Sequence, residues 1–122
     1  MKMLLLDVYN CNVSVVDAEN LEDYYKFLNC NNIDIVARRI NNCPFEFICD
    51  DEGLLKVMPK ISAINKDFEP ELVGNLLIAK GVDKNGNLTP LSNEDVEFLR
   101  NFIYEFSTTN YPNPYPILTQ MS

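Results

Sequence analysis

Apolar positions in the first half of the chain fall into short runs that are typical of β-strands, with one stretch at helical spacing. Asn20 fits a helix N-cap, and Asp23 follows it at the spacing of a capping box. Asn10-Cys11-Asn12 separates the first two runs, which favours a β-hairpin. The elements predicted in this half are strands at 3–9 and 13–16, a helix from Leu21 that ends near Asn29 to Asn32, and strands at 33–40 and 45–49.

The second half combines a buried apolar run with a capped amphipathic helix. Residues 75–82 predict a strand, and Asn85-Gly86 predicts a turn with positive backbone angles before a short return at 88–91. Ser92 and Asp95 have the spacing of a helix cap, and the apolar stripe behind them predicts one helix that runs to about Phe106. The residues of this stripe are Val96, Leu99, Phe102, Ile103 and Phe106.

Three further segments carry less regular patterns. The acidic turn at residues 50–53 predicts a return strand over residues 54–57, which Pro59 ends because proline cannot donate to a sheet. Residues 60–74 predict a long ordered loop, and loops of this length are often functional. Residues 107–122 carry alternate prolines and predict an extended tail, either loosely ordered or packed along its own domain or a partner subunit.

Together, these elements predict an α+β fold in a single small domain over residues 1–106. We expect a mixed or antiparallel sheet of about five to six strands with two helices packed on it, and an extended Pro/Tyr-rich tail over residues 107–122. The chain of 122 residues is long enough to bury a core. No stretch approaches a membrane-spanning helix and no signal-peptide pattern is visible, so we expect a cytoplasmic protein with no membrane partner.

The chain is acidic, with a formal net charge of -8 from 18 acidic and 10 basic residues. Direct binding to nucleic acid needs clustered Lys and Arg. Arg38-Arg39 is the only adjacent basic pair, so we expect no direct nucleic-acid ligand. Two interpretations of the acidic surface stay open: it keeps the protein soluble, or it steers the protein towards a basic partner as a nucleic-acid mimic would.

The sequence lacks the patterns that histidine-assisted catalysis and structural zinc sites require. The chain has no histidine, and its four cysteines show no Cys-x-x-Cys spacing, which argues against a histidine-activated nucleophile and against structural zinc. Asp83, Asn85, Asn87 and Glu94 match ligand positions of an EF-hand calcium loop, but the glycine of that loop comes two residues early. We therefore expect neither an enzyme nor a bound metal or cofactor.

Two sets of residues are candidates for a binding site. An acidic set with two tyrosines would contact a basic partner protein, and it comprises Asp50, Asp51, Glu52, Glu69, Glu71, Tyr111 and Tyr115. A nucleotide would instead need cationic and aromatic groups that converge on a pocket. The residues available for this alternative are Arg38, Arg39, Lys60, Lys66 and Phe68. The Tyr/Pro tail is also compatible with a homodimer.

Four short sequence motifs follow one another in an order that also occurs in other proteins. They are Asp50 to Gly53, Leu77-Ile78, Asp83 to Gly86 and Leu91 to Glu94. In this order they resemble a family of small uncharacterised domains from phages, plasmids and other mobile elements of Firmicutes, over roughly residues 2–106. Pro59-Lys60-Ile61-Ser62 departs from the Pro-x-Asn-Arg-like segment that members often carry, so no site is transferred to it. The resemblance implies a mobile-element setting and no biochemical activity.

Small size, acidic charge and missing catalytic groups are together typical of a protein-binding accessory factor. We expect a non-enzymatic phage or mobile-element protein, foremost a counter-defence inhibitor of the anti-CRISPR or antirestriction kind. Such an inhibitor would bind the basic nucleic-acid-binding surface of a host protein, for example a defence nuclease. A nucleotide-signal sponge and a structural or regulatory accessory protein stay open as alternatives.

Overall fold

In the computed structural model, which describes residues 1–55 and 58–122, a five-stranded sheet lies between a helix on one face and a second, four-stranded sheet on the other. The helices are α1 (Leu21–Leu28) and α2 (Asn93–Arg100). The strands are β1 (Lys2–Asp7), β2 (Asn12–Asp17), β3 (Ile33–Ile40), β4 (Cys43–Asp50), β5 (Ile61–Ile64), β6 (Pro70–Val73), β7 (Leu76–Ala79), β8 (Gly81–Val82), β9 (Leu88–Thr89), β10 (Ile103–Phe106) and β11 (Tyr115–Leu118). The fold is α+β, with more strands than the sequence predicts.

The first sheet has the order β2-β1-β7-β4-β3, and all its strand pairs are antiparallel. Successive residues of a strand face opposite sides of the sheet. Met3 and Leu5 of β1 therefore pack with Tyr24 of α1, whereas Leu4 and Leu6 join the core shared with the second sheet. Both faces of the sheet are covered, which explains the almost continuous apolar runs in β1 and β7.

The second sheet has the order β10-β11-β5-β6, and β11 pairs in parallel with β5 through Leu118 and Ala63. Helix α2 packs into the same core, and the ring of Phe98 stacks on that of Phe45 with centroids 6.0 Å apart. The two short strands β8 and β9 form a separate hairpin. Neither described helix has the length and hydrophobicity that crossing a membrane requires.

Several local predictions are confirmed. The first hairpin pairs β1 with β2 along their whole length. Asn20 caps α1, since its Oδ1 accepts a hydrogen bond from the backbone N–H of Asp23 at 3.0 Å, and Asn29 ends the helix with a left-handed φ of 51°. In the turn between β8 and β9, Gly86 alone of the predicted pair has a positive φ, 81°.

The predicted loop over residues 60–74 is wrong, because this segment forms the hairpin of β5 and β6. The side chain of Asn65 organises the turn: its Oδ1 accepts hydrogen bonds from the backbone N–H groups of Asp67 and Glu69 at 2.9 and 3.0 Å. Asparagine mimics a backbone turn in this way. The strand pattern is obscured in the sequence because Ser62 is polar yet completely buried.

Helix α2 ends at Arg100 rather than near Phe106, because residues 103–106 form β10 and pair with β11. The end of the predicted stripe, Phe102, Ile103 and Phe106, therefore lies beyond the helix, and all three side chains pack against the same core. An apolar set that fits helical spacing also fits a strand when a pairing partner is available. Tertiary pairing decides between the two structures here.

The expectation of a loosely ordered tail after residue 106 is also wrong. Strand β11 lies inside the second sheet, and Tyr115, Ile117 and Leu118 are at most 1% exposed. The segment is extended, as predicted, and it packs along its own domain. Met121 continues this packing by pairing with Ile40 at the end of β3.

The predicted return strand over residues 54–57 is replaced, where the structure describes it, by a single 3₁₀ turn at Gly53–Leu55. Lys56 and Val57 lie outside the described residues. The backbone N–H of Leu55 bonds to the carbonyl oxygen of Glu52 at 3.0 Å, which is the spacing of a 3₁₀ turn.

Candidate functional site

A cleft with several carboxylates lies between the ends of β3 and β4, the 3₁₀ turn and β6. Its volume is about 240 Å³. We call it the acidic cleft, and its lining residues are Asp34, Cys49, Asp50, Asp51, Gly53, Leu54, Pro70, Glu71, Leu72 and Val73. Acidic residues thus come from three separate segments, and β3 and β6 reach the cleft from two different sheets.

Close packing of the acidic turn against β6 shapes the cleft. A Cβ added at Gly53 would lie 3.0 Å from Cγ2 of Val73, so glycine permits a closer approach here than other residues. The turn is tightened by the carboxylate of Asp50, whose Oδ1 accepts a hydrogen bond from the backbone N–H of Glu52 at 2.9 Å. The carboxylates of Asp50 and Asp51 therefore belong to a short turn that is held by its own hydrogen bond.

Cys49 is the one nucleophilic side chain that lines the acidic cleft among the described residues. Burial, with the nearby carboxylate of Asp34, raises the pKa of the Cys49 thiol to about 11. Its Sγ donates to the carbonyl oxygen of Asp34 at 3.6 Å. The thiol therefore stays protonated at neutral pH and lacks the thiolate that nucleophilic chemistry needs.

Two leucines stand out from the surface beside these carboxylates. Leu54, which lines the acidic cleft, is 76% exposed, and its neighbour Leu55 is 83% exposed. Adjacent leucines at this exposure contribute little to the core of this chain. Beside the charged cleft, they form an exposed apolar patch.

Three residues of the predicted acidic set, Asp50, Asp51 and Glu71, line the acidic cleft together. Glu52 does not line it, because this side chain points to Asn32 and accepts a hydrogen bond from Asn32 Nδ2 at 3.2 Å. The structure thus brings together three of the five acidic residues that the sequence singled out.

Glu69 serves the turn of the β5–β6 hairpin instead, since its Oε1 accepts from Nδ2 of Asn65 at 3.2 Å. Sequence reasoning missed Asp34 and Leu54, which both line the cleft. Asp34 lies directly opposite Cys49 in the β3–β4 register. A correct strand register would have identified Asp34, whereas no sequence signal indicates the exposure of Leu54.

The two predicted tyrosines lie in a different place, around a buried lysine. The Nζ of Lys60 is 4.3 Å from the ring centroid of Tyr115, 4.8 Å from that of Tyr111 and 5.8 Å from that of Tyr9. Tyr111 also donates its hydroxyl to the carbonyl oxygen of Met58 at 2.6 Å. We call Lys60 and the three rings the lysine–tyrosine cluster. The Lys60 residue is 8% exposed, and its Nζ lies over the protein's own aromatic rings.

Burial, followed by the charges of Tyr111 and Tyr9, raises the pKa of the Tyr115 phenol to about 12. The phenol is therefore neutral across the physiological range, and it does not supply a negative charge that could pair with the Lys60 ammonium. The cluster therefore stabilises the Lys60 ammonium through cation–π attraction to the ring faces.

The other members of the cationic set do not converge. Arg38 Nη1 donates to the carbonyl oxygen of Ala37 at 2.9 Å, and Arg39, its neighbour on β3, is exposed. Lys66 lines a polar hollow near the C-terminus, and Phe68 lines a separate apolar groove. With Lys60 enclosed, these residues give no common pocket for a nucleotide. Within the described ranges, no three His, Cys, Asp or Glu side chains are arranged so that they could hold a metal ion.

A family model described as a domain of unknown function, DUF3846, matches residues 1–104. The match therefore covers the first sheet, both helices and strands β5 and β6 of the second sheet; it ends within β10 and does not include β11. Comparison with curated proteins gave no match, and comparison with solved structures gave none either.

Proposed function

The chain belongs to the DUF3846 family, whose function is unknown, and we propose that it is a non-catalytic protein-binding module. Its acidic cleft accepts a basic side chain from the nucleic-acid-binding surface of a partner protein. The observation that supports this function is the convergence of Asp34, Asp50, Asp51 and Glu71 on one cleft beside the exposed Leu54.

The size and charge of the cleft favour a basic side chain over a small organic ligand. Pockets for such ligands usually measure about 300–1,000 Å³, whereas this cleft measures about 240 Å³ and carries four carboxylates. An arginine guanidinium can bond two carboxylate oxygens at once, which makes carboxylate pairs good partners for it.

The net charge of -8 supports the same function over a longer range. An acidic protein is attracted to a surface that carries clustered Lys and Arg, and this attraction speeds the encounter. Leu54 and Leu55 would then be covered on contact, which adds apolar burial to the charge pairing.

In its specific form, the function is counter-defence: the partner is a host nuclease or another defence protein, and this chain blocks its nucleic-acid channel. The resemblance of the sequence to mobile-element domains supports this form, together with the acidic charge. The cleft-neutralising experiment below tests the general function, and inhibition of the captured protein tests the specific one.

The experiment compares three immobilised proteins exposed to a nuclease-treated bacterial lysate. They are the wild type, a variant with Asp34→Asn, Asp51→Asn and Glu71→Gln, and a control with Glu22→Gln, Glu94→Gln and Glu97→Gln. Both variants lose the same charge, and the control positions are exposed on the two helices. Asp50 is retained because its carboxylate bonds the turn.

We expect wild type and control to capture the same nucleic-acid-binding protein, and the cleft variant to lose it. Added duplex DNA or RNA should displace the captured protein, and rising salt should release it because the pairing is electrostatic. Equal capture by the cleft variant would contradict the function, as would a captured protein that nucleic acid cannot displace.

A further inference from the structure

A second surface, separate from the acidic cleft, lies between the tip of the β5–β6 hairpin and β10. It is a groove of about 460 Å³ that shares no lining residue with the acidic cleft. We call it the aromatic groove, and its apolar lining comes from Ile64, Phe68, Phe102, Tyr104, Phe106 and Ile117. Glu105 is the one charged residue that lines it among the described residues.

Phe68 holds an unusual position at the edge of this groove. Its φ is 64°, in the left-handed region that bulky residues rarely adopt, and it is 78% exposed. Its backbone N–H bonds to the carbonyl oxygen of Asn65 at 3.1 Å, so the turn fixes this conformation. The chain therefore holds an aromatic ring in solvent at some conformational cost, which points to a role outside folding.

Strand β10 forms the other side of the groove, and it is an edge strand whose pairing partner in the described structure is β11 alone. Edge strands usually carry charges or proline that prevent pairing with another chain. Edge strand β3 has Arg38 and Arg39, and edge strand β6 begins with Pro70. In contrast, β10 reads Ile-Tyr-Glu-Phe and carries a single charge, Glu105.

We propose that the edge of β10 and the aromatic groove together bind an extended segment of a partner protein that carries apolar residues at alternate positions and basic residues between them. Its backbone would extend the second sheet beyond β10. Its apolar side chains would cover Phe68 and Tyr104, and a basic side chain would pair with Glu105.

Charge complementarity selects this occupant. The groove presents one carboxylate on a chain whose net charge is -8. A second copy of the chain would bring another Glu105 and another excess of negative charge to the same edge, which opposes self-pairing. A basic strand meets neither obstacle. Because the two surfaces share no residue, this inference holds whether or not the acidic cleft binds a partner.

The test uses the ¹⁵N-labelled full chain and capped eight-residue peptides. One peptide alternates valine and lysine, a second alternates valine and glutamate, and a third repeats the valine–lysine peptide with N-methylated central amides. We expect the valine–lysine peptide to shift the amide resonances of Phe68 and residues 103–106 and to slow amide exchange in β10. The glutamate and N-methylated peptides should bind at least fivefold more weakly, because each loses one of the two interactions.

Two variants sharpen the test. Phe68→Asn removes the ring and keeps the left-handed turn, because asparagine tolerates this conformation. We expect the melting temperature to be maintained and the affinity for the valine–lysine peptide to fall roughly fivefold or more, as for an anchoring aromatic residue. Glu105→Lys should reverse the preference from the lysine to the glutamate peptide.

Several results would overturn the inference. They are equal binding of the lysine and glutamate peptides, resonance shifts confined to the acidic cleft, and unchanged affinity in Phe68→Asn. A concentration-dependent dimer with β10 amides already protected would show that a second copy occupies the edge, and it would also overturn the inference.

Discussion

The two sheets of this protein are built from sequence segments of very different clarity. In the first sheet, β1 pairs with β2 and β3 pairs with β4 as neighbouring hairpins, and all four strands are evident as apolar runs. The second sheet uses segments that the sequence presents as a loop, the end of a helix and a tail. Strands are easily identified from sequence when they form clear apolar runs, and poorly when a buried polar residue such as Ser62, a proline such as Pro116 or a helix-compatible spacing hides the pattern.

Strand β11 illustrates the difficulty most clearly. It lies between β10 and β5, yet it contains Pro116, and proline is normally confined to sheet edges. The parallel pairing of β11 with β5 is made at Leu118, two residues beyond the proline. The missing N–H of Pro116 therefore does not interrupt the pairing with β5.

Truncating a core side chain in each sheet should give the largest effect. We expect Ile117→Ala in β11 and Leu77→Ala in β7 to lower the free energy of unfolding by about 2–5 kcal/mol each, because both side chains are fully buried. Urea denaturation measures both values. Leu21→Ala, at a position 53% exposed, is the control and should cost less than about 1 kcal/mol.

Comparing Ile117→Ala with Leu77→Ala tests whether the second sheet is part of the common core or only loosely attached to the first sheet. If Ile117→Ala cost no more than the control while Leu77→Ala cost several kcal/mol, the C-terminal strand would contribute nothing to the common core.

Removing the cation of the lysine–tyrosine cluster, which includes Tyr115 of β11, should give a smaller loss of stability. We expect Lys60→Ala to destabilise the protein by about 2 kcal/mol, because a desolvated ammonium over aromatic rings is worth about this much and its stem is buried as well. Lys66→Ala removes an equal charge from an exposed position and should change stability by less than about 0.5 kcal/mol. Equal melting temperatures for the two variants would contradict a stabilising role of the cluster.

Disrupting the N-terminal cap of α2 should give the smallest loss of stability, and the size of this loss should depend on pH. Ser92 Oγ accepts from the Asp95 N–H at 3.1 Å, and the Asp95 carboxylate accepts from the Ser92 N–H at 2.8 Å. Lys80 Nζ also donates to this carboxylate at 2.9 Å. Partial burial raises the pKa of Asp95, but the hydrogen bonds from Ser92 and Lys80 outweigh it and the pKa is lowered.

A lowered pKa in the folded state means that the ionised carboxylate stabilises the fold. This contribution is complete above the unfolded pKa of about 3.9 and is lost as the pH falls through the lower folded value. We expect Asp95→Asn to cost about 1 kcal/mol at pH 7 and almost nothing at a pH below the folded value. Thermal melts of both proteins across this range measure the difference, and a cost independent of pH would exclude the charge as its source.

The acidic cleft was predictable in part. The turn at residues 50–53 is visible in the sequence, because acidic residues before a glycine indicate a turn. Glu71 could not be assigned to it, since its position depends on the pairing of β6 with β5. Asp34 depends on the β3–β4 register. The lysine–tyrosine cluster was not predictable as a unit, because Tyr9, Lys60 and the pair of Tyr111 and Tyr115 come from three distant segments.

The sequence by itself determined the local structure: the first hairpin, both helix starts and the turn at Gly86. Capping side chains, apolar periodicity and glycine act on the backbone within a few residues, so the local structure that they favour can be predicted without the rest of the chain. Tertiary structure alone decided where α2 ends, that residues 61–73 form a hairpin and that the C-terminal segment is core. The same apolar residues suit a helix, a strand or a tail, and the strand that pairs with them in the folded protein makes one of these structures the most stable.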